Sequence, residues 1–185
     1  MQYNFNKFIN ATIFFAQNVK HLGITKLNKL LYFSDFEHYR LYGRPILGDY
    51  YTRMKRGPVP SKSYSIFNAN FRDKTDDSLK ESIDVRIEIS LFNILFKKII
   101  AKKELDKSVF SKSEIEVMEK VAKEYPNSSA NELSYKSHKE KPWLETPSLG
   151  IIDYKLALEQ SESIPQEYAI YRETEDRLLE DALRS

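Results

Sequence analysis

Cysteine is absent from this chain of 185 residues. Its absence excludes a disulfide framework, a thiolate zinc site and a cysteine nucleophile, and it is compatible with a reducing compartment. Long hydrophobic runs are also missing, since no apolar stretch approaches the roughly 18 residues that a membrane span requires. The first residues lack the basic region of a secretory signal. We therefore expect a cytoplasmic protein that has no membrane partner.

The chain also lacks a large excess of charge of either sign. The chain has 29 Lys and Arg against 27 Asp and Glu, which gives a net charge of +2 and argues against a protein that coats nucleic acid. The charge is uneven, however: residues 1–150 hold 25 basic and 18 acidic side chains, whereas residues 151–185 hold 4 and 9. The acidic tail either docks onto the basic body or forms a solvated helix.

The chain length and a hydrophobic fraction of 41% are ordinary for one soluble domain. Apolar residues at helical spacing predict a helix over 5–22 and a second one that follows Thr25 as N-cap and ends at Gly43. Capping-box spacing after Ser111 and Ser129 predicts two further helices. Residues 153–160 and 165–183 also have a helical pattern.

Strands are predicted where β-formers alternate with polar residues. Residues 49–55 favour a short strand that is broken by Gly57-Pro58-Val59-Pro60, whose prolines cannot donate to a sheet ladder. Residues 83–89 alternate strictly, as expected for a strand with one solvated face. A second strand is expected to end near Lys103, residues 61–71 to form a helix and residues 73–80 a loop. These elements predict an α+β fold: a mostly helical single domain with a small antiparallel β-sheet.

Motifs for catalysis are scarce. The chain has no glycine-rich phosphate loop, no nucleophile elbow and no His-Glu-x-x-His pair. Asp35 and His38 share a helix face and are candidate metal ligands, although a hydrogen-bonded surface pair explains them as well. Asp84 and Glu88 share a strand, but Ser90 occupies the place where a magnesium nuclease would need lysine. The sequence thus predicts no enzyme, no cofactor and no bound metal.

A band of cations and aromatic rings is the main candidate for binding. Between residues 50 and 72 there are five basic side chains and no acidic one, interleaved with tyrosines and phenylalanines. Such a pattern suits a protein interface, a surface that grips and stacks nucleic acid, or core aromatics beside solvated cations. The candidate partner-binding residues are Tyr50, Arg53, Lys55, Arg56 and Tyr64.

Several segments resemble, in order and spacing, the Panacea domain, also called the SocA-like antitoxin domain. They are KLNKLLYFSDF at 26–36, YGRPI at 42–46, YTR at 51–53, GPVP at 57–60 and FSKSE at 110–114. Glu132-Leu133-Ser134 with His138 and Trp143 resembles a further signature. Ile152-Asp153-Tyr154 resembles a closing element in which Asp153 replaces the usual proline. The resemblance covers about residues 10–160, so we expect an antitoxin domain over 1–160 and an acidic helical extension over 161–185.

The resemblance implies an antitoxin that neutralises a cognate protein toxin by direct binding. It also implies other partners, because one type of member hands its toxin to a protease as a proteolytic adaptor and others are phage-associated interaction proteins. A DNA-binding autoregulator is a further alternative. The family has no associated catalytic residues.

Overall fold

A computed structural model of the chain describes residues 2–68, 77–89, 95–159 and 163–184. The fold is a mostly helical α+β domain, as the sequence predicts. Its helices are α1 (Phe5–Asn18), α2 (Ile24–Tyr42), α3 (Ser61–Asn68), α4 (Asp77–Ser82), α5 (Lys112–Glu124), α6 (Ala130–Ser137), α7 (Lys141–Glu145) and α8 (Gln166–Arg184). Short 3₁₀ helices span Lys107–Val109 and Tyr154–Glu159.

Two antiparallel sheets complete the fold. The strands are β1 (Tyr51–Met54), β2 (Gly57–Pro60), β3 (Ile83–Ile89), β4 (Leu95–Ala101) and β5 (Ile151–Ile152). The first sheet has the order β2-β1-β5, and β3 and β4 form a separate hairpin. In the first sheet Thr52 lies opposite Val59 on one side and Ile151 on the other, so a strand from late in the chain closes a hairpin from its first third.

Helix α2 is the centre of the molecule, and most of its residues are buried. It ends at Gly43, which adopts the left-handed conformation (φ +73°) and donates its amide hydrogen to the carbonyl of Tyr39. The two helices predicted for the first 43 residues are confirmed as α1 and α2. Two boundaries differ from the prediction: α1 ends at Asn18 instead of residue 22, and α2 begins at Ile24 with Gly23 as N-cap instead of after Thr25.

Aromatic rings from distant parts of the chain form the centre of the core. The ring of Phe36 on α2 stacks on that of Tyr154 with 4.4 Å between centroids, and Tyr32 lies 4.5 Å from Phe36. Tyr51 from β1 meets Phe36 edge-on at 5.5 Å. Aromatic pairs at these distances favour tilted and edge-to-face geometries and add to the hydrophobic gain of burial. This cluster fixes the first sheet against α2.

The carboxylate of Asp35 lies at the polar heart of that cluster and is fully buried. One oxygen accepts hydrogen bonds from the backbone N–H groups of Ile46 and Leu47 at 2.9 and 2.7 Å. The other accepts from the hydroxyls of Tyr51 and Tyr154 at 3.0 and 3.1 Å. Burial raises the pKa of Asp35 to about 7, although three of these donors work in the opposite direction. Asp35 therefore ties α2 to the segments on both sides of the first sheet.

Helix α8 packs on the end of α2. The hydroxyl of Tyr39 donates to Glu173 at 2.6 Å, and Arg44 forms ion pairs with Glu175 and Asp176 at 3.0 and 2.6 Å. Ala169 is completely buried in this contact region. Of the two interpretations of the acidic tail, the docked one is therefore correct. Among the described helices, none combines the length and the apolar character needed to cross a bilayer.

Two local predictions need correction, and others are confirmed over the described residues. Residues 77–80, expected in a loop, belong to α4, because Leu79 is buried and anchors this short helix; residues 73–76 lie outside the described residues. The predicted helix over 61–71 forms as α3 to residue 68, and its remainder lies outside them too. The helical pattern over 153–160 is confirmed as a 3₁₀ helix over Tyr154–Glu159. Residues 57–60, expected to break the strand, form β2 instead, because β2 is an edge strand in which prolines are tolerated. Both capping boxes are confirmed, at Ser111 with Glu114 and Ser129 with Glu132.

Candidate partner-binding surface

The first sheet turns one face to the core and the other to solvent. Side chains alternate along β1, so the buried Tyr51 faces the core, whereas Tyr50 and Met54 face outward and are exposed. Ile151 of β5 lies opposite the outward-facing Thr52 and is 66% exposed. We call Tyr50, Met54 and Ile151 the outer sheet face. Apolar side chains that are adjacent and exposed in this way are typical of interaction sites.

Cations and a further aromatic ring border the outer sheet face. Lys55 and Arg56 form the exposed turn between β1 and β2. The amine of Lys62 lies over the ring of Tyr50 at 5.9 Å from its centroid, within the range of a cation–π contact. Tyr64 is exposed on α3. Four of the five predicted binding residues are thus accessible from solvent, and their role in binding stays a prediction.

The position of α3 is fixed by Asp49, which is completely buried. Its carboxylate accepts hydrogen bonds from the backbone N–H groups of Lys62 and Ser63 at 3.0 and 2.8 Å and from the Ser63 hydroxyl at 2.7 Å. A carboxylate at a helix N-terminus satisfies amide groups that have no partner within the helix. Asp49 therefore holds Tyr64 and Lys62 in a constant position relative to β1.

Arg53, the fifth predicted residue, has a different environment. Its guanidinium lies 4.1 Å from the ring centroid of Trp143 and donates to the carbonyl of Thr146 at 2.5 Å. The imidazole of His138 also stacks on Trp143, with 4.1 Å between centroids. Arg53 thus joins β1 to α7 through a cation–π contact, and this half-buried stack explains why Trp143 and His138 occur together with the Tyr-Thr-Arg segment.

The turn between β1 and β2 is held by groups that the sequence did not single out. The Ser134 hydroxyl on α6 donates to the carbonyl of Arg56 at 2.6 Å, and the amine of Lys29 on α2 donates to the carbonyl of Pro58 at 2.5 Å. Gly57, between them, has φ +89°. These contacts join residues that are 29 and 78 positions apart in the chain, so no local sequence signal reveals them.

Gly57 has no room for a side chain. A Cβ atom at this position would lie 2.5 Å from the Ser137 hydroxyl oxygen and 3.0 Å from the amine of Lys29. Because the backbone is also in a region that L-residues rarely adopt, we expect Gly57→Ala to reduce the free energy of unfolding by about 2 to 4 kcal/mol. Urea denaturation measures this, with Gly23→Ala, which has a closest contact of 3.3 Å, as control. An equal loss in both variants would contradict the prediction.

The ammonium of Lys29 has lost almost all contact with water, and burial lowers its pKa to about 7. The unfolded chain, with a lysine pKa near its ordinary value of about 10.4, binds more protons between pH 7 and 10. Stability therefore rises with pH over that range. Relative to Lys29→Met, we expect the wild-type chain to gain about 2 kcal/mol between pH 7 and 9 in urea denaturation. A constant difference between the two proteins would refute this.

The two candidate metal ligands, Asp35 and His38, have separate hydrogen-bond partners in different parts of the structure. Asp35 is saturated by the donors described above, whereas His38 lies against the Arg44 carbonyl and the Ser113 hydroxyl, at 2.5 and 3.1 Å from its two ring nitrogens. Sharing a helix face therefore does not bring the carboxylate and the imidazole to one site. Within the described ranges no cluster of three or more His, Asp or Glu side chains is arranged to hold a metal ion.

The sequence also left out apolar members of the surface. Ile151 belongs to β5, which is only two residues long. Leu149 lies just before this strand, is 70% exposed and donates its amide hydrogen to the carbonyl of Arg53. Two adjacent isoleucines after Gly150 are too short a pattern to predict a strand. Their placement beside β1, about 100 residues earlier, depends on the tertiary fold.

The family model described as "Antitoxin SocA-like, Panacea domain" matches residues 27–144 of this chain. The matched range runs from α2 to α7. It includes the buried Asp35 carboxylate, the turn at Gly57 that Lys29 and Ser134 hold, and the stack of Arg53 and His138 on Trp143. It ends before β5 and α8. No curated protein and no solved structure gives a significant match.

Proposed function

Because the chain belongs to the SocA-like antitoxin family with a Panacea domain, we propose that it neutralises a cognate protein toxin by direct protein–protein binding. The toxin would be held on the outer sheet face and on the residues around it. Inhibition then follows either from occlusion of the toxin's active site or from retention of the toxin in an inactive conformation. The chain itself acts stoichiometrically, without a reaction of its own.

The observation that carries this proposal is the exposed apolar outer sheet face with cations at its border. Protein interfaces combine a buried apolar centre, in which aromatic residues contribute much of the energy, with a polar rim. Tyr50, Met54 and Ile151 supply such a centre, and Lys55 and Arg56 supply basic rim groups. The matching surface on the toxin would be apolar with acidic residues around it.

The way the surface is held also supports binding. The turn that carries Lys55 and Arg56 is fixed from α2 and α6, and α3 is fixed by Asp49. A surface that is ordered before binding loses less conformational entropy when the complex forms. The buried polar contacts of the family motifs thus contribute to affinity through the shape of the surface, without touching the toxin.

A stable complex buries about 1,200 to 2,000 Å² in total, which is more than the outer sheet face provides. Exposed side chains on segments next to the sheet extend it: Tyr64 on α3, which follows β2 directly, and Leu149 just before β5. We further propose that residues 1–160 form the antitoxin domain and that residues 161–185 are an extension whose helix braces α2.

Co-expression tests the proposal. The protein encoded by the neighbouring reading frame is expressed alone and together with this chain, and growth is followed. Arrest in the first case and normal growth in the second are expected. Rescue that disappears in a host lacking one ATP-dependent protease would favour the proteolytic adaptor. Rescue accompanied by tight, steeply salt-dependent binding of operator DNA, without a protein complex, would favour the autoregulator.

A further inference from the structure

Strand β3 has one free edge in the described part of the chain. Its other edge pairs with β4. The far edge of β4 contacts the loop before α2, because the amide of Ile99 on β4 donates to the carbonyl of Leu22 in that loop at 2.8 Å. Lys102 donates its amide to Ser82 across the hairpin. These two bonds set the alternation of the ladder: the even-numbered residues of β3 bond to β4, and the odd-numbered ones direct their N–H and C=O groups to the free edge.

The free edge lacks several of the features that usually protect an edge strand. Its sequence, Ile-Asp-Val-Arg-Ile-Glu-Ile, contains no proline, lysine or glycine. The apolar face of the hairpin is covered by the body only at its base, where Ile83 and Ile99 are buried. At the far end Ile87, Ile89 and Leu95 are 72%, 66% and 67% exposed. Both the backbone edge and the apolar face are therefore available to another strand.

The charged face of β3 indicates which strand fits. Asp84, Arg86 and Glu88 alternate in sign along it. Such a row is complementary to itself when two copies run antiparallel with a suitable offset. Within the chain Arg86 forms an ion pair with Asp84 at 2.8 Å and Glu88 with Lys98 at 2.9 Å, and these partly exposed groups can each accept a further partner of opposite charge. We propose that β3 pairs with β3 of a second copy of this chain, antiparallel and with Ile87 at the two-fold axis, so that the two hairpins form one four-stranded sheet.

This register satisfies backbone and side chains together. Ile87 lies opposite Ile87 of the partner subunit, and Val85 lies opposite Ile89 of the partner subunit. All of these residues direct their backbone groups to the free edge, so each pair exchanges two hydrogen bonds. Arg86 lies opposite Glu88 of the partner subunit at a position where the strands come closest, and symmetry makes this ion pair twice.

The neighbouring registers are less favourable. An axis at Arg86 would place two guanidinium groups opposite each other, which is destabilising. An axis at Val85 would also pair opposite charges, Arg86 with Asp84 of the partner subunit. It would, however, move the contact toward the buried Ile83 and helix α4 and leave the most exposed isoleucine, Ile87, at its margin. The axis at Ile87 buries Ile87 and Ile89 of both copies.

Disulfide cross-linking tests the register, because the natural chain has no cysteine. Paired residues of an antiparallel ladder lie about 5.5 Å apart, within the range for a disulfide. Under mild oxidation Ile87→Cys is expected to give a covalent dimer at least about tenfold faster than Leu178→Cys, an equally exposed site on α8. Equal rates for the two variants overturn the proposal.

Charge exchange tests the partner's identity. In sedimentation equilibrium of the chain alone, Arg86→Glu and Glu88→Arg are each expected to weaken the dimer about tenfold or more, since each creates two like-charge pairs. The double variant R86E/E88R restores opposite charges across the axis and is expected to recover most of the affinity that either single variant loses; the intrachain pairs Arg86–Asp84 and Glu88–Lys98 are not restored. A wild-type chain that stays monomeric at about 100 μM, or a double variant no better than the single ones, overturns the dimer. A monomer whose β3 edge gains amide-exchange protection only with added toxin assigns the edge to the toxin instead.

Discussion

Replacement of Asp35 by alanine is expected to leave the chain unfolded, or folded only marginally, at physiological temperature. The change removes the acceptor of two backbone N–H groups and two tyrosine hydroxyls in the core. Each buried donor left without a partner costs about 1 to 3 kcal/mol. The Tyr154 hydroxyl keeps a second acceptor, the Asp49 carbonyl at 2.8 Å, so three donors lose their partner. Their combined cost of about 3 to 9 kcal/mol approaches the whole stability of an ordinary domain, which is about 5 to 15 kcal/mol. Urea denaturation followed by circular dichroism measures the loss.

Asp35→Asn is the matched control. The amide oxygen can accept from the backbone of Ile46 and Leu47, and the amide nitrogen can donate to the hydroxyl of Tyr51, which is also able to accept. We expect this variant to fold and to lose no more than about 2 kcal/mol. If Asp35→Ala is within about 1 kcal/mol of the wild type, the carboxylate is not the anchor that its contacts indicate.

Loss of neutralisation is the second large effect, and it is expected for the double variant Tyr50→Ala, Ile151→Asp. Truncation of a central aromatic residue at an interface commonly costs more than 1 kcal/mol, and a carboxylate placed in its apolar centre adds a desolvation cost. Binding of the toxin should weaken about a hundredfold or more. Both side chains are exposed, so the fold is expected to be unaffected.

The readout is growth on co-expression with the neighbouring toxin gene, together with the thermal unfolding of each variant. Leu178→Asp, which places the same charge on an exposed leucine of α8, is the control and should rescue growth like the wild type. Full rescue by the double variant, at normal protein levels, would show that the toxin binds elsewhere on the molecule.

Much of the helical part of the fold is predictable because its signals are local. The periodicity of α1 and α2, the glycine at position 43 and the two capping boxes each depend on residues within a few turns of one another. Helix α4 was missed because it has one buried apolar residue, Leu79, within a polar stretch. Its stability comes from tertiary packing, which a local pattern does not contain.

The binding surface is predictable only in part, for a similar reason. Composition identifies the basic and aromatic segment over 50–72. In a short strand, however, either the odd or the even residues can face the core, and only the burial of Tyr51 in the structure shows that Tyr50 faces solvent. Arg53 then falls on the other face, where its partner Trp143 is 90 residues away. For strand β3 the alternation correctly predicts an apolar face. It does not predict that the rest of the chain leaves half of that face uncovered.

A binding measurement on the purified proteins tests direct neutralisation most closely. The toxin encoded by the neighbouring frame is titrated with this chain in a calorimeter, and its activity is assayed at the same molar ratios. We predict saturation at a fixed stoichiometry, with inhibition in proportion to the complex formed and no saturation by the Tyr50→Ala, Ile151→Asp variant at the same concentrations. Growth rescue in cells without any complex between the pure proteins would contradict the account.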